Sequence, residues 1–335
     1  MRRDIVVIGA SAGGIDALRS IAAGLPPQFP ASICVVLHVS PESPGILDKI
    51  LDRAGPLRAV QVHSSQRLQP GVIYVAAPDH HLIVEPSVVR ATRGPRENRF
   101  RPAIDPLFRS AAQTYGPRAI GIILTGSLDD GTAGLWAIKR LGGKAIVQDP
   151  AEALAESMPL NALQYVEVDH CVPVSEIPGL LVRLTAEPIE KEGGYTVPES
   201  MNIEVDIARA KDPLEAGVEQ LGEPSTYACP ECHGVLLRVK EGDRARFRCH
   251  TGHAYSAETL IAEFDQAIEN ALWNSIRALQ EKVLLIEHLA DHARERDDRQ
   301  LAAALAQRAD DAHQRAELVR RAVQAPESPV PPEAA

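Results

Sequence analysis

Three short stretches bring a serine, a histidine and two aspartates to the ends of strand-like runs. The first is IVVIGASAGGIDAL, residues 5–18. Its turn reads Gly9-x-Ser11-x-Gly13, with small residues around a hydroxyl and a helix-like pattern after it. A sharp strand-to-helix turn of this kind lifts the serine beside the unpaired N–H groups of a helix N-terminus. Those donors suit the oxyanion that forms when a serine attacks a carbonyl. The competing reading is a dinucleotide cradle, which needs G-x-G-x-x-G. Gly9 and Gly14 fit it, but Ser11 replaces the middle glycine, where a side chain obstructs the pyrophosphate. The following strand, SICVVLH, ends in His38 and not in an acidic residue. A nucleophilic serine needs a base and an orienting acid. His38 can be the base. The strand AIGIILTG runs into SLDDG, so Asp129 and Asp130 are both available as the acid, and either could instead cap the next helix.

A second chemistry lies far along the chain. Cys229 and Cys232 form CPEC, and after sixteen intervening residues Cys249 and His253 lie in CHTGH. Two knuckle-like pairs at this separation predict a tetrahedral zinc site with Cys229, Cys232, Cys249 and His253 as ligands. His250 is the alternative fourth ligand, with awkward geometry so close to Cys249. Four protein ligands fill a zinc, so the site reads as structural. A module of about thirty residues has little core, and the metal would supply its folding energy.

The elements that must hold these residues alternate. DIVVIGA, SICVVLH, AIGIILTG and KAIVQD are continuous apolar runs, as in parallel strands covered on both faces. Amphipathic segments such as GGIDALRSIAAGL and DGTAGLWAIKRLGG separate them. The pattern predicts an α/β domain with a doubly wound, mostly parallel sheet. GVIYVAAPDHHLIVEPSVVRATRG predicts an inserted antiparallel β-hairpin with its tip at PDHH, where His80 and His81 sit. In such a sheet, groups that do chemistry collect at the carboxyl ends of the strands, where Ser11, His38 and the Asp pair all fall.

The α/β domain is expected over residues 1–185. Residues 186–225 carry ten acidic and three basic residues and read as an acidic linker, with a short strand at MNIEVDI. Residues 226–256 form the zinc-ribbon-like module. Residues 257–325 lack glycine and proline and carry an apolar stripe that fades across ARERDDRQ. This predicts a helical hairpin with Asp297 or Asp298 as N-cap. Residues 326–335 read as a disordered tail.

Bulk properties narrow the classes. Aromatics are 4% and the net charge is −10, which argues against base stacking and general nucleic-acid binding. No apolar run approaches a membrane span and no secretory leader is visible, so a cytoplasmic protein without membrane insertion is expected. Disulfides among its five cysteines are then not expected.

Residues 3 to about 184 resemble the catalytic domain of CheB-type protein-glutamate methylesterases. The resemblance runs in order through IVVIGASAGG, VVLHVSP, GVIYVAAPDHHL, RFRPAIDPLFRSAA, GIILTGSLDDGTAGL and ESMPLNAL. It implies Ser11 as nucleophile, His38 as general base and Asp130, which precedes the glycine, as the acid. It also implies an oxyanion site at the start of the first helix, around Ala12 and Gly13, with the Ser127 amide. It implies hydrolysis of glutamate methyl esters on chemoreceptor helices with release of methanol, deamidation of glutamine there, and no cofactor for catalysis. Implied partners are a methylated chemoreceptor or similar helical signalling protein and a receptor methyltransferase or kinase of the same two-component pathway. The sequence departs from the family in three respects. The first strand begins near residue 4, so a receiver domain is not expected ahead of it. Ala12 and Ser127 stand where Thr and Met are usual, and a metal module and helices are appended. The helices are expected to bind substrate or to form a homo-oligomer. The rival function is a signalling adaptor whose esterase site is degenerate or differently directed.

Overall fold

The computed structural model describes residues 1–189, 195–241 and 244–324. The strands are β1 Ile5–Ala10, β2 Ser32–Leu37, β3 Arg58–Val62, β4 Ser65–Arg67, β5 Val72–Ala76, β6 His81–Glu85, β7 Val88–Thr92, β8 Ala119–Ile123, β9 Lys144–Gln148 and β10 His170–Val172. The helices of this part are α1 Gly14–Gly24, α2 Leu47–Ala54, α3 Ile104–Tyr115, α4 Thr132–Arg140, α5 Ser157–Tyr165 and α6 Ile177–Ala186.

Seven strands form a parallel sheet in the order β10-β9-β8-β1-β2-β5-β3. Strand β1 shows why its run is wholly apolar. Ile5 and Val7 enter the core on one face, and Val6, Ile8 and Ala10 enter the core on the other. Helices α1, α2 and α6 cover the second face, while α3, α4 and α5 cover the first. The chain leaves β1 toward β2 on one side and returns to β8 on the other. The carboxyl end of β1 is therefore the switch point at which such sheets place their sites.

The inserted hairpin is β6–β7, and β4 joins it in a three-stranded sheet. Its turn lies between Glu85 and Val88 and not at PDHH. PDHH instead carries the chain from β5, in the large sheet, to β6. His81 is consequently a buried residue and not a hairpin tip.

The expected acidic linker is partly corrected. Within it lie α7 Glu199–Ala208 and the short α8 Pro213–Ala216. MNIEVDI is helical: Met201 and Val205, four residues apart, pack into one apolar cluster, and Ile203 and Ile207, also four apart, pack into another. Next comes a four-stranded antiparallel sheet of β11 Gly222–Ala228, β12 Val235–Glu241, β13 Arg244–Cys249 and β14 Ala254–Ser256. It is no separate bead. Residues 1–260 form one compact unit.

The second unit, residues 261–335, is described only to Gln324. Helix α9 runs Ala257–Glu295 and α10 runs Arg299–Gln324. They pair through Ile286, Ala290, Ala293, Ala302, Leu305 and Ala309. Of the two expected caps, Asp298 is the one in place, its Oδ1 accepting from the Leu301 amide at 3.0 Å. The expected tail at 326–335 lies outside the described residues.

Candidate active site

Ser11 is the first residue after β1. Its amide donates to the Thr125 carbonyl at 2.9 Å, beyond the end of β8. The hydroxyl of Thr125 donates to the Ala12 carbonyl at 2.8 Å and accepts from the Ala155 amide at 2.9 Å, fixing the turn from both sides. Gly13 has φ of 78°, the left-handed region that favours glycine, and α1 begins immediately after it. Gly126 is equally constrained: a Cβ there would meet Met158 Sδ and lie 2.7 Å from Ser11 Cβ. Small residues in these turns therefore serve close approach.

His38 follows β2, the neighbour of β1. Its Nε2 lies 2.7 Å from Asp130 Oδ2, with both side chains almost fully buried. The ring stacks on Phe100 with centroids 3.7 Å apart and planes 7° apart. Nδ1 is buried and has no hydrogen-bond partner. With Nε2–H donating to Asp130, Nδ1 carries the lone pair. A neutral imidazole in this tautomer has one basic nitrogen free.

Asp130 is held from four directions. Oδ2 also accepts from the Ile104 amide at 2.6 Å, and Oδ1 accepts from Asn98 Nδ2 at 2.8 Å and the Asp105 amide at 3.3 Å. Ile104 and Asp105 open α3, so the carboxylate sits on a helix N-terminus. Burial opposes its ionisation. The hydrogen bond and charge of His38, with the Ile104 and Asn98 donors, outweigh that and hold the carboxyl below its usual range. Asp105 receives the other hydrogen of Asn98 Nδ2 at 2.9 Å. Burial, then repulsion from Asp130, pushes its carboxyl up to about 6.

Asp129, left beside Asp130 as an alternative acid, faces elsewhere. Its Oδ1 accepts from Ser256 Oγ at 2.7 Å, and its Oδ2 pairs with Arg244. It anchors the appended sheet and does not touch His38.

Ser11, Ala12, Gly13, His38, Phe100 and Arg101 line one cleft of about 750 Å³. Among the described residues, the N–H groups of Ala12, Gly13 and Ser127 and the hydroxyl of Ser11 have no hydrogen-bond partner. Ser11, with an unpartnered hydroxyl, thus lines the cleft with His38, whose unpartnered Nδ1 is buried, and with the unused donors of Ala12 and Gly13. Ser127 follows Gly126 beside Ser11 and is exposed.

The four residues expected to bind metal converge. Their ligand atoms all lie within 4.8 Å of one another. Cys232 and Cys249 Sγ are 3.6 Å apart, and His253 Nδ1 lies 3.6 Å from Cys249 Sγ and 3.7 Å from Cys229 Sγ. Bonds of about 2.3 Å around a tetrahedral zinc place ligand atoms at about this separation. The other ring nitrogen of His253 faces Glu231 at 3.3 Å, the carboxylate–histidine pairing common behind zinc ligands. His250 is exposed and packs over Gly234, outside the cluster. Cys34 lies in the core, where burial pushes its thiol pKa upward and leaves it inert.

Sequence reasoning missed Asn98 and Phe100, which touch the acid and the base, and His81. His81 Nε2 lies 2.8 Å from the Pro95 carbonyl, and its Nδ1 accepts from the Ala103 amide at 3.2 Å, so it clamps the segment that carries both. The cue for Phe100 was in RFRPAIDPLF, which the resemblance covers without marking any residue of it as functional.

A family model described as CheB methylesterase matches residues 6–181. A putative protein-glutamate methylesterase/protein-glutamine glutaminase of Leptospira interrogans is 37% identical over 192 residues, covering 57% of this chain and all of that protein. A protein-glutamate methylesterase/protein-glutamine glutaminase of Anaeromyxobacter dehalogenans is 39% identical over 184 residues, which is 55% of this chain and 54% of that protein. Of that relative the chain thus spans about half the length. The crystal structure of the CheB methylesterase catalytic domain of Thermotoga maritima matches with a TM-score of 0.53 and 33% identity, covering 55% of this chain and all of that one.

Proposed function

The chain belongs to the CheB methylesterase family, and on that premise we propose that it is a serine hydrolase that removes methyl groups from glutamate methyl esters on chemoreceptor-like signalling proteins. The observation that carries the reading is that Ser11 and His38 line one cleft, with His38 paired to the buried Asp130 and its Nδ1 left without a partner. Ser11 Oγ attacks the side-chain ester carbonyl, and its proton passes to His38 Nδ1. The ionised Asp130 holds the tautomer and stabilises the imidazolium. The amides of Ala12 and Gly13, with Ser127 as a further donor, receive the oxyanion. Methanol leaves with the proton from His38. Water, activated by the same nitrogen, then releases the glutamate carboxylate and frees Ser11. A glutamine amide enters the same cycle with ammonia as the leaving group, so deamidation is a second expected activity.

The arginines that line the cleft, Arg96, Arg99 and Arg101, suit an acidic helical segment as substrate. None of these steps calls for a metal. The Cys229, Cys232, Cys249 and His253 cluster fits zinc in donor type and spacing, and zinc there would supply folding energy to the appended sheet. Further parts of the reading are a two-component pathway, with a receptor methyltransferase or kinase as neighbours, and self-association through α9 and α10. Among the described residues no helix is long and apolar enough to cross a membrane.

The experiment is methanol release from methylated receptor membranes by the wild-type chain and by Ser11→Ala. Release by the wild type alone supports the reading. Equal release by a folded Ser11→Ala protein refutes it.

A further inference from the structure

Between the Cys/His cluster and the candidate triad lies one segment, Arg96–Phe100. Ala254 directly follows the candidate ligand His253. Its amide donates to the Arg96 carbonyl at 3.2 Å, and its carbonyl accepts from the Asn98 amide at 2.8 Å. Two residues further, the Ser256 amide donates to Asn98 Oδ1 at 3.0 Å, and the Thr259 hydroxyl lies 3.3 Å from the same oxygen. The amide donor decides which way the Asn98 carboxamide faces. With Oδ1 turned to the appended sheet, Nδ2 turns the other way and gives its two hydrogens to Asp130 Oδ1 and Asp105 Oδ2. The second oxygen of Asp130 holds His38. Phe100, at the end of the same segment, stacks on the His38 ring.

A second tie runs parallel. Arg248 precedes the ligand Cys249 and is fully buried. It donates to Glu97 Oε1 at 2.8 Å, to Glu204 Oε1 at 2.9 Å and to the Gly252 carbonyl at 2.8 Å. Glu97 also pairs with Arg109 of α3, whose N-terminus holds Asp130. Both ligands on this side of the cluster, Cys249 and His253, are therefore within one residue of a group bound to the Glu97–Asn98 segment.

The appended sheet buries only a few large apolar side chains, Leu236, Val239, Phe247 and Tyr255 among them. Buried ions such as Arg248, Glu97 and Glu204 are poor sources of net stability. A metal at the cluster would add a tie that holds the ends of β13 and β14 in place. The matched family region ends at residue 181, so the appended half of this wiring, from Glu204 to Thr259, lies in a part of the chain that the family model does not describe.

We propose that metal held by Cys229, Cys232, Cys249 and His253 positions Asp130 through Asn98, so that turnover at Ser11 depends on a metal that makes and breaks no bond. This rests on the serine-hydrolase and zinc readings above, and it differs from the simpler reading in which the α/β domain works equally well without its metal. Asn98 is a positioning residue.

The test uses the full chain. Zinc content is measured by elemental analysis, and turnover of p-nitrophenyl acetate is followed before chelation, after it, and after zinc is restored. The expected result is one zinc per chain and a kcat that falls at least tenfold on chelation with KM little changed. It returns with zinc, and the far-UV CD of the α/β body is retained throughout. Asn98→Ala should keep its zinc and show the same reduced kcat, and chelation should lower it no further. Thr259→Val, a milder change that keeps the Ser256 donor, should retain zinc and give an intermediate kcat. The NMR pH titration of the His38 ring reports without turnover. Chelated wild type and zinc-loaded Asn98→Ala should share one displaced curve. Zinc present with turnover unchanged by its removal would overturn the coupling alone. A zinc-free chain with full Ser11-dependent turnover would overturn the metal reading, and turnover indifferent to Ser11→Ala would overturn the hydrolase reading. The proposal falls in each of these cases.

Discussion

His38 Nε2 and Asp130 Oδ2 are 2.7 Å apart, and this contact fixes which imidazole nitrogen is left for chemistry. The nitrogen facing the acid is Nε2, so the base nitrogen is Nδ1, the reverse of the ring usage in the best-known serine proteases. The direction of the ring follows from Phe100 stacking on it and from Asp130 being pinned to the start of α3.

The first prediction follows from that contact. Ser11→Ala and His38→Ala should each lower kcat/KM on an ester by several orders of magnitude, about 10⁴-fold or more. Asp130→Asn keeps Oδ1 or Nδ2 toward His38 but favours the wrong tautomer, and it should leave a measurable remainder. Single-turnover kinetics with thermal melts as a folding control measure all three. A His38→Ala protein with near-normal turnover would remove the base from the scheme.

The second prediction concerns pH and stability. Burial pushes the Asp129 carboxyl up to about 7; Arg244 opposes this and Glu258 adds to it. A raised folded pKa means the folded chain binds this proton more tightly than the unfolded one. The stabilisation is complete below the unfolded carboxylate value of about 4 and is lost as pH rises toward about 7. Asp105, pushed up to about 6, adds in the same direction. The thermal midpoint should therefore fall as pH rises from 5 to 8. Asp129→Asn keeps an acceptor for Arg244 and a partner for Ser256 Oγ, and it should flatten the upper part of this slope. An Asn variant with the wild-type slope would assign the titration to another group.

How much of this was legible beforehand differs by region. The parallel sheet was readable because both faces of β1 are covered, which leaves a wholly apolar run from Ile5 to Ala10. The positions of Ser11, His38 and the Asp pair followed from strand ends alone. The choice between Asp129 and Asp130 did not, since both follow the same strand and only the partner across the fold separates them. Helix α7 was hidden because its acidic residues suggested solvent. Glu204 is instead buried among Arg109, Arg246 and Arg248. A signal for this existed: Arg244, Arg246 and Arg248 alternate along β13, and period 2 puts them on one face of a strand. Three guanidinium groups on one face of a small sheet call for buried acids, and Asp129, Glu204 and Glu97 provide them. Asn98 left no comparable trace, because a single amide in a charged loop has no periodicity.

The third prediction tests that buried network. Burial opposes ionisation of Glu204, but Arg109, Arg246 and Arg248 hold its carboxyl well below the usual range. Glu204→Ala leaves these guanidinium groups short of a partner in a dry site, and it should cost about 3–5 kcal/mol of folding free energy. Urea unfolding followed by circular dichroism measures it. A loss under about 1 kcal/mol, in the range of an exposed ion pair, would show that water reaches the network. Since the shift is downward, this contribution is present above the unfolded value near 4 and fades only as pH falls below it.

The fourth prediction separates the two units of the chain. The contact boundary falls after Leu260, yet the end of the appended sheet is locked by the first turn of α9. Thr259 Oγ1 lies 3.3 Å from Asn98 Oδ1, and the Thr259 amide donates to Ser256 Oγ at 3.0 Å. A chain ending at residue 268 keeps this turn, and one ending at residue 256 loses it. The longer truncation should turn over p-nitrophenyl acetate at the wild-type rate, because every residue that touches the Ser11 cleft or Asn98 is retained. The shorter one should lose at least several-fold in kcat. On a methylated receptor the longer truncation discriminates further. If α9 and α10 dock the substrate, KM rises while kcat on the small ester stays constant. If they instead block the cleft, kcat/KM rises on both substrates. Docking is expected, because the paired helices leave Leu284, Leu285 and Leu289 exposed along α9 and their apolar seam is already filled by Leu305 and its alanine neighbours. A gain of activity on both substrates would establish autoinhibition instead.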